Sequence, residues 1–402
     1  RNPGRVTFPA VWGTSCDLHQ LSGCPRWVIV RYWAWRSGLM SREHGRPGRH
    51  TRSCRGGRAG VASGRRPRDG EAEHRLAGLD PGRRRRRWHL PAAGRGRLVS
   101  WAERGLLASG TPRLLVVGGA SLDRIHVAGE PVPPPGGAGL YTALAAARAG
   151  ADVTMLAPLP DPMPPELASA LDLIRWVGPT VSPDELPRFE IAYDRDGVVA
   201  SFREHLGAEL DMTPRLLDFV ADAPGCAYCV PFLDARLQRR FVDALRERGC
   251  LAVGATYAKA AQLDTALVRE TLDLADLSFC NAGEAELLFG GDQAPASGRL
   301  RFVTHGAAGV TVLQGDHRTD IAGQWVVAVD PTGAGDTFCG TTIARLLAGD
   351  HPVEAARRGN AAAAEMVTAV GASALLRPGA PPSPAADERV RVDADTVDHM
   401  AE

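Results

Sequence analysis

Residues 326–340 read Val-Val-Ala-Val-Asp-Pro-Thr-Gly-Ala-Gly-Asp-Thr-Phe-Cys-Gly. The apolar, β-branched run Val326 to Val329 predicts a strand that ends at Asp330. A Pro-Thr turn follows, then Gly333-Ala334-Gly335, then Asp336 at the mouth of a helix expected to reach about Leu347. Strand, glycine turn and helix start together aim unpaired backbone N–H groups at an anion. A carboxylate among those donors would repel that anion unless it has a job of its own. A phosphoryl transfer site supplies one: the amides hold the transferring group while Asp336 receives the proton of an attacking hydroxyl. Taken alone, the Gly-x-Gly tripeptide fits a tight turn capped by Asp336 equally well.

Working outward, charge divides the chain. Residues 1–110 contain 23 Arg and 7 acidic residues, whereas the remainder has 24 basic and 39 acidic ones. Lys259 is the single lysine, and six of the eight tryptophans lie before residue 110 without a helical or strand period. Residues 1–110 are therefore expected to be an Arg-rich arm, disordered or non-native. The run Arg83 to Arg87 could contact nucleic acid, a reading disfavoured against a solvated arm. Trp27 to Trp35 is interrupted by Arg31 and falls short of the roughly 20 apolar residues a span requires, so no membrane partner is expected. Cys226-Ala-Tyr-Cys229 has C-x-x-C spacing without a second ligand pair and reads as a buried strand. A reduced, cytoplasmic setting follows.

From residue 111 the pattern becomes regular. Strands are predicted at Leu114–Val117, Val153–Ala157, Cys226–Val230, Cys250–Gly254, Leu277–Cys280 and Phe302–Thr304. Helices are predicted at Gly139–Gly150, Pro214–Ala221, Ala235–Arg248, Asp264–Ala275 and Ala282–Phe289. This alternation implies an α/β fold: a doubly wound, mainly parallel sheet whose ligands sit beyond the C-terminal strand ends. Residues 188–202 break the alternation as a β-hairpin around Asp196-Gly197, a candidate lid. Residues 379–402, rich in Pro and Asp, read as a solvated tail.

Four further patches carry chemistry. Asp123 stands just after the first strand, where a carboxylate can bind substrate hydroxyls or simply cap a loop. Gly136 and Gly137 precede the alanine-rich helix and allow close backbone approach. Asn281 and Glu284, one helical turn apart after a strand, suit either a hydrated Mg²⁺ or a capping box. Thr304-His-Gly306-Ala-Ala-Gly309 follows a late strand.

Asp-Pro-Thr-Gly-Ala-Gly-Asp-Thr-Phe resembles the signature of the ribokinase/PfkB carbohydrate kinase family, and the other patches occur in that family's order over about residues 112–378. The resemblance implies a ribokinase-like kinase domain over 111–378, ATP as donor, Mg²⁺ as cofactor, and a sugar or cyclitol hydroxyl as acceptor. It makes Asp336 the catalytic base and the amides of Gly333, Ala334 and Gly335 the anion hole. It places the acceptor at Asp123, Gly136 and Gly137, the nucleotide at Thr304, Gly306, Gly309 and Asn360, and the magnesium shell at Asn281 and Glu284. It also suggests a monovalent cation such as K⁺ at Asp330 and Thr332.

Two departures bear on the acceptor. Tyr141 stands where sugar-binding relatives carry Asn; it can stack on a sugar face or a base but lacks the amide's paired donor and acceptor. Twelve residues separate Asp123 from Gly136, too few for the lid strands of the ribose enzymes, so the hairpin is expected to be the whole lid. A lid that small leaves room for a bulkier acceptor, or calls for a partner subunit in a homodimer. The alternatives are a nucleoside kinase of the same fold and a catalytically silent sugar- or nucleoside-binding relative.

Overall fold

A computed structural model describes residues 111–377, apart from 128–129, 194–198, 221–224, 233 and 297, together with Val390–Val392. The arm at 1–110, the Asp196-Gly197 turn and most of the tail lie outside the described residues. The described chain opens with β1 (Arg113–Val117), β2 (Ser121–Leu122), β3 (Arg124–Val127), β4 (Glu130–Val132), β5 (Pro135–Gly136) and α1 (Ala138–Arg148). Next come β6 (Asp152–Leu156), β7 (Leu159–Pro160), α2 (Pro165–Ala168), β8 (Arg175–Val181), β9 (Arg188–Tyr193) and β10 (Val199–His205). β11 (Cys226–Cys229), α3 (Ala235–Glu247), β12 (Leu251–Ala255), α4 (Ala258–Leu263), α5 (Thr265–Leu274), β13 (Leu277–Asn281), α6 (Ala282–Phe289) and β14 (Leu300–Thr304) continue the alternation. The chain closes with β15 (Gly309–Gln314), β16 (His317–Ala322), α7 (Ala334–Leu347), α8 (Pro352–Met366) and β17 (Val390–Val392).

The main sheet has the order β16-β15-β14-β13-β12-β11-β1-β6-β8-β17, with β7 also on β8. It is parallel except for the β14-β15-β16 edge. β11 and β12 are buried at every position, as strands covered on both faces must be, which explains why they read as unbroken apolar runs. α3 starts at Asp234, whose carboxylate accepts the Arg236 N–H at 2.9 Å, and it buries Leu237, Phe241, Val242 and Leu245. On the other face α1, α7 and α8 approach closely because they meet through small residues. A methyl group on Gly340 would lie 2.1 Å from the Thr142 carbonyl oxygen, and one on Gly359 would lie 2.2 Å from Thr342 Oγ1. Phe338 of α7 packs edge-on against Phe279 and Phe302 at 5.9 and 6.0 Å, fixing the first turns of that helix above β13 and β14.

The doubly wound sheet and the antiparallel β9–β10 hairpin agree with the sequence reading. Four details differ. The hairpin belongs to a four-stranded sheet, β10-β9-β3-β4, because the short stretch after Asp123 does build two strands and β3 runs parallel to β9. Val326–Val329 is not a strand: the N–H groups of Val329 and Asp330 bond the Val367 carbonyl at the end of α8 instead of a sheet neighbour. Residues 214–219 form a 3₁₀ helix rather than an α-helix. Part of the expected tail returns to the sheet, with β17 pairing in parallel with β8.

Candidate active site

Asp330 ends the irregular segment and is buried, its Oδ1 accepting the Thr332 N–H at 2.9 Å and its Oδ2 the Gly371 N–H at 2.8 Å. Those two bonds shape the Pro-Thr turn and meet the charge of the carboxylate with protein donors. Burial raises its pKa even so. Gly333 then adopts φ +78°, a left-handed conformation that glycine tolerates, and serves as N-cap of α7. The first helical bond is made by Thr337 N to the Gly333 oxygen at 2.9 Å. Of the amides expected to hold an anion, that of Ala334 is taken by the Pro331 oxygen at 3.2 Å, while the N–H of Gly335 precedes the intrahelical ladder at the positive end of the helix dipole and that of Asp336 turns to its own carboxylate. Tyr141, 1% exposed, lies directly beneath: a methyl group on Gly333 would come within 2.5 Å of its ring. Tyr141 thus supports the glycine turn from below instead of offering its face to a ligand.

Asp336 is half-buried in the first turn of α7, and the Thr142 hydroxyl donates to its main-chain oxygen at 3.4 Å. Burial raises its carboxyl to about 7, partly opposed by its own backbone N–H. Asp123 sits beyond the C-terminal end of β1, 4% exposed, with Oδ1 accepting the Phe189 N–H of β9 at 3.3 Å. Its carboxyl is likewise raised to about 7, chiefly by burial and in smaller part by the charge of Asp330. Gly136 closes on it so tightly that an added methyl would lie 1.9 Å from Asp123 Oδ2, while Gly137 (φ +99°) packs on the Gly119–Ser121 backbone. Gly371 packs on Pro134 and Pro135. One turn after α8 therefore ties the Asp330 loop to the Gly136–Gly137 loop.

Asn281 and Glu284 form a reciprocal capping box at the start of α6: Asn281 N donates to Glu284 Oε2 at 2.8 Å, and Glu284 N to Asn281 Oδ1 at 2.9 Å. Glu284 is buried and its carboxyl is raised to about 8, by burial first and also by the nearby charge of Asp336. Two neighbouring carboxylates held in a poorly hydrated place fit a divalent cation. Among the described residues no group of three or more His, Cys, Asp or Glu could hold a metal alone. A cation there would be shared with phosphate oxygens and water, the habit of Mg²⁺.

Thr304 ends β14, and Gly306 (φ +59°) and Gly309 (φ +115°) turn the chain into β15, closed by the His305 N–H donating to the Gly309 oxygen at 2.8 Å. Asn360 of α8 donates its amide to the Ala322 oxygen at 2.9 Å, pinning the end of β16 beside that turn. Opposite Asp123, Glu204 of β10 faces Phe189 across the lid ladder and pairs with Lys259 of α4. The fold thus places Asp123 beyond the C-terminal end of β1, Asn281 and Glu284 at that of β13, and Thr304, Gly306 and Gly309 at that of β14. Phe189, Thr142 and Gly371 join them unannounced, because they act through backbone or hydroxyl groups; only the glycine after a helix left a signal in the sequence. Among the described residues, no helix is long and apolar enough to cross a membrane.

Residues 240–378 match the pfkB family carbohydrate kinases. The cytidine kinase of Thermococcus kodakarensis is 27% identical over 270 residues, covering 63% of this chain and 95% of that protein. The ribokinase of Haemophilus influenzae is 36% identical over 120 residues, covering 27% and 39%. The structure of a Burkholderia thailandensis nucleoside kinase in complex with inosine superposes with a TM-score of 0.53 at 20% identity, covering 68% of this chain and 96% of that one. Signature, family match and sheet order converge: the C-terminal part of the chain is similar to the pfkB family carbohydrate kinases, and the fold is ribokinase-like.

Proposed function

We propose that this protein moves the γ-phosphoryl group of ATP to a hydroxyl of a sugar-like acceptor, with Asp336 as base. The observation that carries the proposal is the position of Asp336: a half-buried carboxyl in the first turn of α7, beside the Gly335 N–H that opens the helix. A general base works best with a pKa near the operating pH, and burial raises this carboxyl toward that range. The acceptor hydroxyl, oriented by Asp123 and the Gly136–Gly137 backbone, attacks the γ-phosphorus in line. Its proton passes to Asp336 as the bond from phosphorus to the β-bridging oxygen breaks and ADP leaves. The Gly335 N–H would meet the charge on the transferring oxygens, a term worth about 3–4 kcal/mol per donor in related chemistry. Mg²⁺, held through Glu284 and the phosphates, would neutralise the rest. K⁺ at Asp330 and Thr332 is not part of this proposal, since both Asp330 oxygens already accept amides.

A nucleoside acceptor is the second reading, favoured by the lid. Phe202, 44% exposed, stacks on Phe189 at 5.9 Å and presents a flat apolar face beside the residue whose N–H holds Asp123. ADP release from ATP and Mg²⁺ across pentoses, hexoses, inositols and nucleosides separates the two. Asp336→Asn is expected to lower acceptor-stimulated turnover by about 10² or more while ATP still binds. Undiminished turnover in that variant removes Asp336 as the base. ATP binding without stimulation by any acceptor would point instead to a silent binding relative.

A further inference from the structure

The segment between β16 and the glycine turn was expected to be a strand, and its actual course has a use. It is held at one end by the Asn360 amide on the Ala322 oxygen and at the other by Val329 and Asp330 on the Val367 oxygen, so it runs beside the second half of α8. Its side chains alternate. Val326 and Ala328 pack against the core, while Trp325 and Val327 face outward, 84% and 43% exposed. By the same period Gly323 lies on the outward side. There its N–H bonds the Ala308 oxygen at 3.0 Å, and an added methyl would strike the Ala307 oxygen at 2.0 Å. The outward face thus starts against the Gly306–Gly309 turn and leads, through Trp325 and Val327, toward Gly333. It joins the Gly306–Gly309 turn, which the family resemblance assigns to the nucleotide, to the glycine turn that opens α7.

Leaving a whole indole in water forgoes a large apolar stabilisation, and aromatic faces pair readily with heterocyclic bases. We propose that Trp325, supported by Val327, is the shelf on which the base of the nucleotide donor stacks, and that it sets the preference for a purine triphosphate over a bare polyphosphate. This rests on the reading of the site as a nucleotide-dependent kinase.

The test uses the full chain and direct binding, so that it does not depend on turnover. Titration of ATP and of inorganic tripolyphosphate is followed by calorimetry in the wild type, Trp325→Ala and Trp325→Phe. Energy transfer from tryptophan to a fluorescent N-methylanthraniloyl ATP is compared between the wild type and Trp325→Phe. The expected result is a Kd for ATP raised about tenfold or more in Trp325→Ala, largely restored in Trp325→Phe, with tripolyphosphate affinity unchanged. Energy transfer should fall in Trp325→Phe although ATP still binds. Wild-type ATP affinity in Trp325→Ala overturns the shelf. So does an equal loss for ATP and tripolyphosphate, or a change confined to the oligomeric state on size exclusion. If ATP binds through Trp325 yet no acceptor is phosphorylated, the phosphotransfer reading fails and the shelf stands.

Discussion

Replacing Gly136 by alanine puts a number on the closeness of the acceptor loop to Asp123. The new methyl would lie 1.9 Å from Asp123 Oδ2, 2.8 Å from its Cγ and 3.1 Å from Ser121 Oγ. Ordinary contact begins near 3.4 Å, so carboxylate and loop must part by about 1.5 Å. Asp123 is 4% exposed and its bond from Phe189 N is already 3.3 Å long, so the retreat breaks that bond and strains the lid junction. Overpacking costs about 1–3 kcal/mol, and a lost bond to a charged group about 1.5–3 kcal/mol. Allowing for relaxation, the variant should lose roughly 2–4 kcal/mol of stability. A methyl on Gly119 meets nothing within 4 Å, so Gly119→Ala should unfold close to the wild-type temperature and serves as the control. Displacing the acceptor-orienting carboxylate by more than 1 Å should also lower kcat/KM for the acceptor by about 10², with KM for ATP little changed. Thermal unfolding and steady-state kinetics with each substrate varied would measure both. Wild-type stability and wild-type acceptor KM in Gly136→Ala would refute this account of the loop; a rise confined to KM for ATP would refute its assignment to the acceptor.

Two predictions concern pH. Asp336 must be ionised to accept a proton and its carboxyl lies at about 7, so kcat/KM should rise about tenfold per pH unit below 7 and level off above it, as a pH–rate profile will show. Asp123, Asp336 and Glu284 all have folded pKa values raised above those of the unfolded chain, to about 7, 7 and 8. The folded state therefore holds these protons more tightly, and unliganded stability should be greatest near pH 4–5 and decline as pH rises to 8. Glu284→Gln keeps the capping geometry, so melting temperatures measured across this range should flatten in that variant.

The sheet was legible because both-face burial writes itself as apolar runs such as Leu114–Val117 and Leu251–Ala255, and because Asp234 and Asn281 mark helix starts chemically. The glycine turn was legible because few residues other than glycine adopt φ +78°. Val326–Val329 misled for a physical reason: its composition suits a strand, but α8 supplies the carbonyl that captures its amides, and no local pattern announces a helix end as a partner. Tyr141 looked like a ligand residue by position, yet its ring packs against Gly333, far away in sequence. The strands after Asp123 were missed because they are only three or four residues long and gain their place from β9.

Lys259 gives the pairing of lid and sheet a chemical singularity. In this sequence it carries the sole side-chain primary amine, and that amine rests on Glu204, which faces across the lid ladder the residue that holds Asp123. Amine chemistry, elsewhere a scattershot modification of protein surfaces, here addresses one place among the side chains. The molecule thus carries a single-address reporter on the contact between the lid and the body that it covers.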